Sequence, residues 1–189
     1  TYSILTNVDK EHLDYYNNFS TLKKYFKIFI DKTPSFGKAI VCLDNFHLKE
    51  ILKSCKSKNF LTYGFHKNAN YQITNISKNK FYSKFDLKVK IFGKINAIIK
   101  NIKINLLGDH NISNSAAAVA IALNLGISIS VIKKSLQKFM GIQRRFTKIF
   151  SIYGREFYDD YAHHPTEIEA VIKAAKQVYK ERKIICVFQ

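Results

Sequence analysis

Apolar positions along the chain change their period several times, and each change marks an element. Tyr2 to Leu5 is a short strand-like run, followed by a polar loop from Thr6 to Tyr16. From Ser20 onward, Leu22, Tyr25, Phe26, Phe29 and Ile30 recur at helical spacing and stop before Pro34, which predicts a helix with Ser20 as its N-cap. Ala39-Ile40-Val41-Cys42-Leu43 is a continuous apolar run, the pattern of a buried strand. Leu48 to Cys55 predicts a short helix. Segments 60–65, 71–77, 81–92 and 95–107 are rich in Ile, Phe, Tyr and Thr with patches of alternation, and predict strands and hairpins.

The pattern changes at Gly108. Asn114 to Leu125 carries the run Ala116-Ala117-Ala118-Val119-Ala120-Ile121-Ala122, a close-packing helix that ends at Gly126. Ser130 to Phe139 repeats the helical spacing with Val131, Ile132, Leu136 and Phe139. Gly141-Ile142-Gln143-Arg144-Arg145-Phe146 reads as a hinge. Beyond it the pattern predicts a hairpin over 148–158 around Tyr153-Gly154, a helix from Thr166 to Glu181 and a strand from Lys183 to Phe188. This β-β-α-β order opens a second α/β domain, so the boundary falls near residue 146.

Composition narrows the class. With 189 residues and 47% apolar content the chain can pack a sizeable core. No apolar run approaches the roughly 20 residues of a membrane span. The first residues lack the basic region and long apolar core of a signal peptide. The chain has no initiator Met and stops inside a strand-like run, so it reads as a piece of something longer. Cys42, Cys55 and Cys186 share no close spacing, which argues against a disulfide framework or zinc site and fits a reducing cytoplasm. The formal charge of +17 raises nucleic acid as a partner. Against it, the charge is nearly all Lys spread evenly, and Arg, the usual reader of bases and phosphates, occurs only at positions 144, 145, 155 and 182.

Four constellations carry candidate chemistry. Asp9, Glu11, His12 and Asp14 offer oxygen ligands and an imidazole that suit Mg²⁺ or Mn²⁺ if phosphate and water complete the shell; a solvated acidic loop is the plainer account. His110, Asn111 and Asn114 stand at the start of the alanine-rich helix, where free N–H groups lie and an Asn amide can read a purine edge; simple N-capping is the alternative. Arg144 and Arg145 could reach phosphate bidentately or form a surface pair. Asp159-Asp160-Tyr161-Ala162-His163-His164-Pro165 joins a strand to a helix, with Pro165 suited to the first helical turn. There Asp160 can accept from ribose hydroxyls and His163 can donate to a phosphate oxygen, while His164 and one acid serve equally well as helix caps.

Taken in order, Thr6-Asn7…His12-Leu13-Asp14, Gly108-x-His110-Asn111-x-x-Asn114, Gly141-x-x-Arg144-Arg145-Phe146 and Asp159-Asp160-Tyr161-x-His163-His164-Pro165-Thr166-Glu167 resemble the Mur ligases, ATP-dependent amide-forming enzymes of peptidoglycan synthesis. The last two motifs most resemble the member that adds the first amino acid. The resemblance implies an α/β fold: residues 1–146 as the later part of a P-loop-type central ATPase domain, with a mixed sheet and helices, and residues 147–189 as the start of a Rossmann-like C-terminal domain. It implies ATP and Mg²⁺ (or Mn²⁺) as cofactors, and UDP-N-acetylmuramate, L-alanine and ATP as partners. It also implies roles. His12 would bind metal. His110, Asn111, Asn114, Arg145, Asp160 and His163 would bind ATP, with Arg145 and His163 catalytic. Asn7 and Tyr161 would face the substrates. The phosphate-cradling Gly-x-x-Gly-Lys-Thr/Ser loop of such enzymes does not occur in this sequence, so the chain by itself is expected to be inactive. Position 109 is Asp and position 162 is Ala, both tolerable in surface turns. The remaining alternatives are another amide ligase of the superfamily, such as a folylpolyglutamate synthase, and a basic nucleic-acid-binding module without catalysis.

Overall fold

The computed structural model describes residues 1–188. Its main sheet has six strands in the order β1 (Tyr2–Leu5), β2 (Lys38–Cys42), β3 (Phe60–Gly64), β4 (Tyr71–Lys78), β5 (Ser83–Ile91) and β6 (Lys94–Ile104). The first four run parallel and the last three antiparallel, with β4 common to both sets. The hydrophobic pattern accounts for the change. In β2 every residue from Ala39 to Cys42 is buried, so both of its faces are covered. In β5 the buried Ser83, Phe85 and Leu87 alternate with half-buried Lys84, Asp86 and Lys88, as in a strand with one face on the core.

Helices α1 (Leu13–Tyr16), α2 (Phe19–Asp31) and α3 (Phe46–Ser54) follow the N-terminal strands, and α4 (Asp109–Asn124) and α5 (Ile129–Lys138) follow β6. The α2–α3 pair and α4 both reach β2, sandwiching it. Tyr63, Phe85, Ile40, Leu48, Ile102 and Ile112 sit fully buried between these layers. A second, two-stranded sheet of β7 (Thr147–Ile152) and β8 (Arg155–Asp159) leads to α6 (Pro165–Val178). The hairpin and helix are clipped together: the Glu156 carboxylate accepts from Lys148 Nζ at 2.7 Å and from the Tyr179 hydroxyl, and the Tyr158 and Tyr179 hydroxyls lie 2.5 Å apart.

Several boundaries differ from the periodicity. The cap of α2 is Asn18, whose side chain accepts from Thr21 N–H at 2.8 Å, so the helix begins before Ser20. Helix α4 begins at Asp109, because Gly108 turns the chain with φ 88° and the Asn111 amide bonds back to the Leu107 carbonyl at 2.8 Å. Neither Asn111 nor Asn114 is therefore the N-cap. Helix α6 starts one residue early, at Pro165, and ends at Val178. The expected strand at 183–188 is not formed: no other strand among the described residues pairs with it, and an extended segment without a ladder is not a strand.

Two outcomes follow from this packing. Phe85→Ala empties a fully buried aromatic site and should lower unfolding free energy by about 3–5 kcal/mol in a denaturant titration, whereas Phe81→Ala, at a residue 78% exposed, should stay within about 0.5 kcal/mol. Lys148 and the two tyrosines hold the Glu156 carboxyl well below its ordinary 4.5, at about 2. A depressed carboxyl stabilises fully above its ordinary value and ceases to do so as pH falls through the depressed one. The hairpin–α6 clip should therefore loosen between pH 4.5 and about 2, read as faster amide exchange in β8, and Glu156→Gln should remove that dependence.

Candidate functional site

The site is assembled where the start of α4, the 141–146 hinge and the start of α6 meet. Gly108 makes the first approach possible. A Cβ at this position would stand 2.7 Å from His110 Cε1 and 3.2 Å from the Ala174 Cβ of α6, and φ 88° disfavours any L side chain. The His110 ring is thereby tucked in, half-buried. Burial pushes its pKa below the ordinary 6.5, against the raising effect of Asp160 and Asp109, so the ring is neutral at pH 7. Asn114 lies three and four residues beyond Asn111 and His110, on the same side of the helix. One amide N–H of Asn111 is committed to Leu107, which leaves its oxygen and second N–H to a ligand.

The hinge has no regular structure, and three of its six residues have positive φ: Gly141 (94°), Arg144 (59°) and Phe146 (49°). Left-handed backbone at non-glycine residues is held in place by surrounding contacts. Here those contacts come from the Asp159–Pro165 turn. Asp160 Oδ2 accepts from Phe146 N–H at 2.7 Å and its Oδ1 accepts from Ala162 N–H at 2.8 Å. The Tyr161 N–H donates to the Arg144 carbonyl at 2.9 Å. The Arg144 guanidinium lies over the Tyr161 ring, 4.7 Å from its centroid, with Nε 3.6 Å from Asp159 Oδ2. Phe146 stacks on Tyr158 at 4.6 Å. Each Asp160 oxygen keeps a second lone pair, so its two backbone bonds are compatible with accepting from a ribose hydroxyl.

The two histidines of the turn face different neighbours. Nδ1 of the exposed His163 lies 3.1 Å from the Tyr161 carbonyl, which assigns the proton to that nitrogen, and 3.6 Å from Glu167. Glu167 also sits 3.6 Å from Arg145 Nη1, and it bonds back to His163 N–H at 3.3 Å, as an acid in the first helical turn does. His164 turns the other way, with Nδ1 3.5 Å from Glu11 and 3.8 Å from Asp9, near enough for attraction but outside hydrogen-bonding geometry. The Thr166 hydroxyl donates to Asp9 Oδ2 at 2.7 Å. Asp9, grouped by its sequence with the metal-binding candidates, thus ties the first loop to α6.

Of the residues singled out from the sequence, His110, Arg145, Asp160 and His163 converge, with Tyr161 beside them and Asn111 and Asn114 on the adjoining helix. Asn7 and His12 are exposed on the first loop, and no hydrogen bond, ion pair or ring contact among the described residues joins them to that group. His12 caps α1 with left-handed backbone. Nowhere among the described residues do three His, Cys, Asp or Glu side chains converge to hold a metal ion. The chain's own groups therefore do not make a metal shell; His12 can supply one ligand of such a shell and no more. Sequence reasoning missed the Asp9–Thr166 link and the stacking of Arg144 on Tyr161. Contacts spanning 157 and 17 positions leave no periodic signal, and the only trace of the second was an Arg next to another Arg.

The Asp9 carboxyl is held below its ordinary 3.8, chiefly by the Thr166 hydroxyl, then by Lys10 N–H and the nearby His164 and His47, against desolvation. The link to α6 should therefore be complete above pH 3.8 and weaken as pH falls below it. At neutral pH, Thr166→Ala and Asp9→Asn should each speed proteolytic cleavage in the 141–146 hinge about fivefold, the effect of the roughly 1 kcal/mol that a half-exposed bond keeps after screening. Unchanged cleavage in both variants would show that the link does not hold the two parts together.

Comparison with known proteins accords with this geometry. The family model for the Mur ligase middle domain matches residues 1–122, and that for the Mur ligase glutamate ligase domain matches residues 144–189. A UDP-N-acetylmuramate–L-alanine ligase of Pelagibacter ubique is 50% identical over 189 residues, which is 100% of this chain and 41% of that protein. The chain thus spans about two fifths of the length of the curated relatives it matches. Among solved structures, MurF of Acinetobacter baumannii superposes with a TM-score of 0.78 at 24% identity, over 93% of this chain and 37% of that one. UDP-N-acetylmuramate-alanine ligase MurC of Thermotoga maritima gives 0.71 at 24%, over 95% and 39%. At that identity the solved structures establish the fold, while the family models cover most of the sequence. The chain belongs to the Mur ligase family.

Proposed function

We propose that the protein to which this chain belongs is an ATP-dependent ligase that joins L-alanine to the carboxylate of UDP-N-acetylmuramate in peptidoglycan synthesis. The observation that carries the reading is 50% identity over the whole chain to a relative of that name. Residues 1–146 belong to the central domain and 147–189 to the C-terminal one, in keeping with family models that end at 122 and begin at 144. Among the described residues no helix is long and apolar enough to cross a membrane, which fits the cytoplasm, where ATP and a nucleotide sugar are available.

In the first step an oxygen of the muramate carboxylate attacks the γ-phosphorus of ATP, forming an acyl phosphate as ADP leaves. Two anions must meet, so cationic groups are needed where charge builds up. Arg145 and His163, both neighbours of Glu167, would be the groups of this chain that face the phosphates. In the second step the neutral amine of L-alanine attacks the acyl carbon, an amide forms, and phosphate leaves with a proton released. Asn111 and Asn114 would read the adenine edge and Asp160 the ribose, with His110 beside them at the start of α4. Tyr161 and Asn7 would lie on the substrate side. Mg²⁺ (or Mn²⁺), with His12 as one ligand, would screen the phosphate charge. Residues from both sides of the hinge contribute, so closure about residues 141–146 assembles the site and keeps water from the acyl phosphate.

In the complete protein, His163→Ala and Asp160→Ala should each lower L-alanine-dependent phosphate release by at least about 10²-fold, the scale of lost electrostatic stabilisation. Phosphate release driven by another amino acid, or by a folate substrate and glutamate, would replace this reading with that of a different ligase of the superfamily. Tight DNA binding with a steep salt slope, in the absence of turnover, would favour a basic binding module.

A further inference from the structure

The two neighbouring arginines of the hinge go to different partners. Arg145 extends toward Glu167, on the side of His163. Arg144 folds the other way, its guanidinium covering one face of the Tyr161 ring with Nε near Asp159. Its carbonyl holds the Tyr161 N–H, so backbone and side chain of one residue grip the same tyrosine. Tyr161 in turn stands edge-on to the His163 ring, 5.3 Å between centroids, and its carbonyl receives Nδ1 of that histidine. Its backbone amide is bonded and one ring face is covered by the guanidinium, although Tyr161 is 51% exposed.

We propose that Arg144 is a positioning residue for the amino-acid substrate: it presets Tyr161, so that only the uncovered ring face and the hydroxyl of Tyr161 meet the incoming amine. This rests on the ligase reading above, in which Tyr161 lies on the amino-acid side. The two arginines then divide the labour of the hinge, one serving the phosphates and the other the acceptor. A planar guanidinium suits the second task because it can stack on a ring and approach a carboxylate edge-on at once, which an ammonium does less well.

The test uses the complete protein and steady-state phosphate release. Arg144→Asn removes the guanidinium but tolerates left-handed backbone and keeps the carbonyl that holds Tyr161. It should raise KM for L-alanine at least about tenfold while kcat and KM for ATP change less than about threefold. Arg144→Lys should recover part of the loss, Tyr161→Ala should match Arg144→Asn, and the double variant should be no worse than the poorer single, since both act through one ring. Thermal midpoints close to wild type would show that the variants are folded. The assignment is overturned if KM for L-alanine stays within twofold, if KM for ATP rises as much, or if the two substitutions add. A wild-type protein without L-alanine-dependent turnover overturns the ligase reading and this assignment with it; an active wild type with a silent Arg144→Asn overturns only the assignment.

Discussion

The Asp160 carboxylate spans the hinge and the turn after β8, and the candidate site depends on that span. One oxygen takes the amide of Phe146 and the other that of Ala162, so a single side chain sets the distance between two irregular segments. Charge-assisted bonds of this kind are about twice as strong as neutral ones and hold Phe146 in its left-handed backbone, while the Tyr161 N–H does the same for Arg144 through its carbonyl. Arg145, Tyr161 and His163 are consequently not three independent surface residues. They project from one stitched loop, and any nucleotide group that binds Asp160 engages the element that fixes the other three.

Around this loop, stability and chemistry are separated. The sheet and its helices hold the large buried side chains, while the site lies on loops and first helical turns at their rim, where polar groups can face solvent or ligand. Glycine enters at the place where the two are joined. Gly108 turns the chain into α4 and lets α6 come close enough for Ala174 to pack beside it. The same turn pulls the His110 ring into partial burial beside Asp160 and keeps it uncharged at neutral pH. Geometry at one residue thus brings the second part of the chain close to the start of α4 and to the His110 ring.

The acidic loop after β1 illustrates how position changes meaning. Its composition suits a divalent cation, but Asp9 accepts from Thr166 and Glu11 lies beside His164, which commits both to α6. His12 and Asp14 stay open. In a reaction that transfers a phosphoryl group between anions, the oxygens of the substrates would supply most of a metal's shell, and the loop's acids serve instead to bring the two parts of the chain together.

Local patterning determined a good deal by itself. The continuous run at 39–43 had to be a buried strand, because no polar residue interrupts either face, and the alanine-rich stretch had to be a close-packed helix. The four ordered motifs identified the family, and of the residues they named the fold brings His110, Arg145, Asp160 and His163 together but leaves Asn7 and His12 apart from them. Helix starts at Asn18 and Gly108 escaped the pattern because capping depends on a single side-chain bond or a single φ, neither of which has a period. The segment 183–188 has strand-like composition but no ladder, since a strand needs a neighbour and composition cannot supply one. Only the tertiary structure could decide that Arg144 lies on Tyr161 and Arg145 beside Glu167, or that Asp9 reaches Thr166. Those pairings rest on distances between segments far apart in the chain, and two adjacent arginines look alike until the fold gives each a different neighbour.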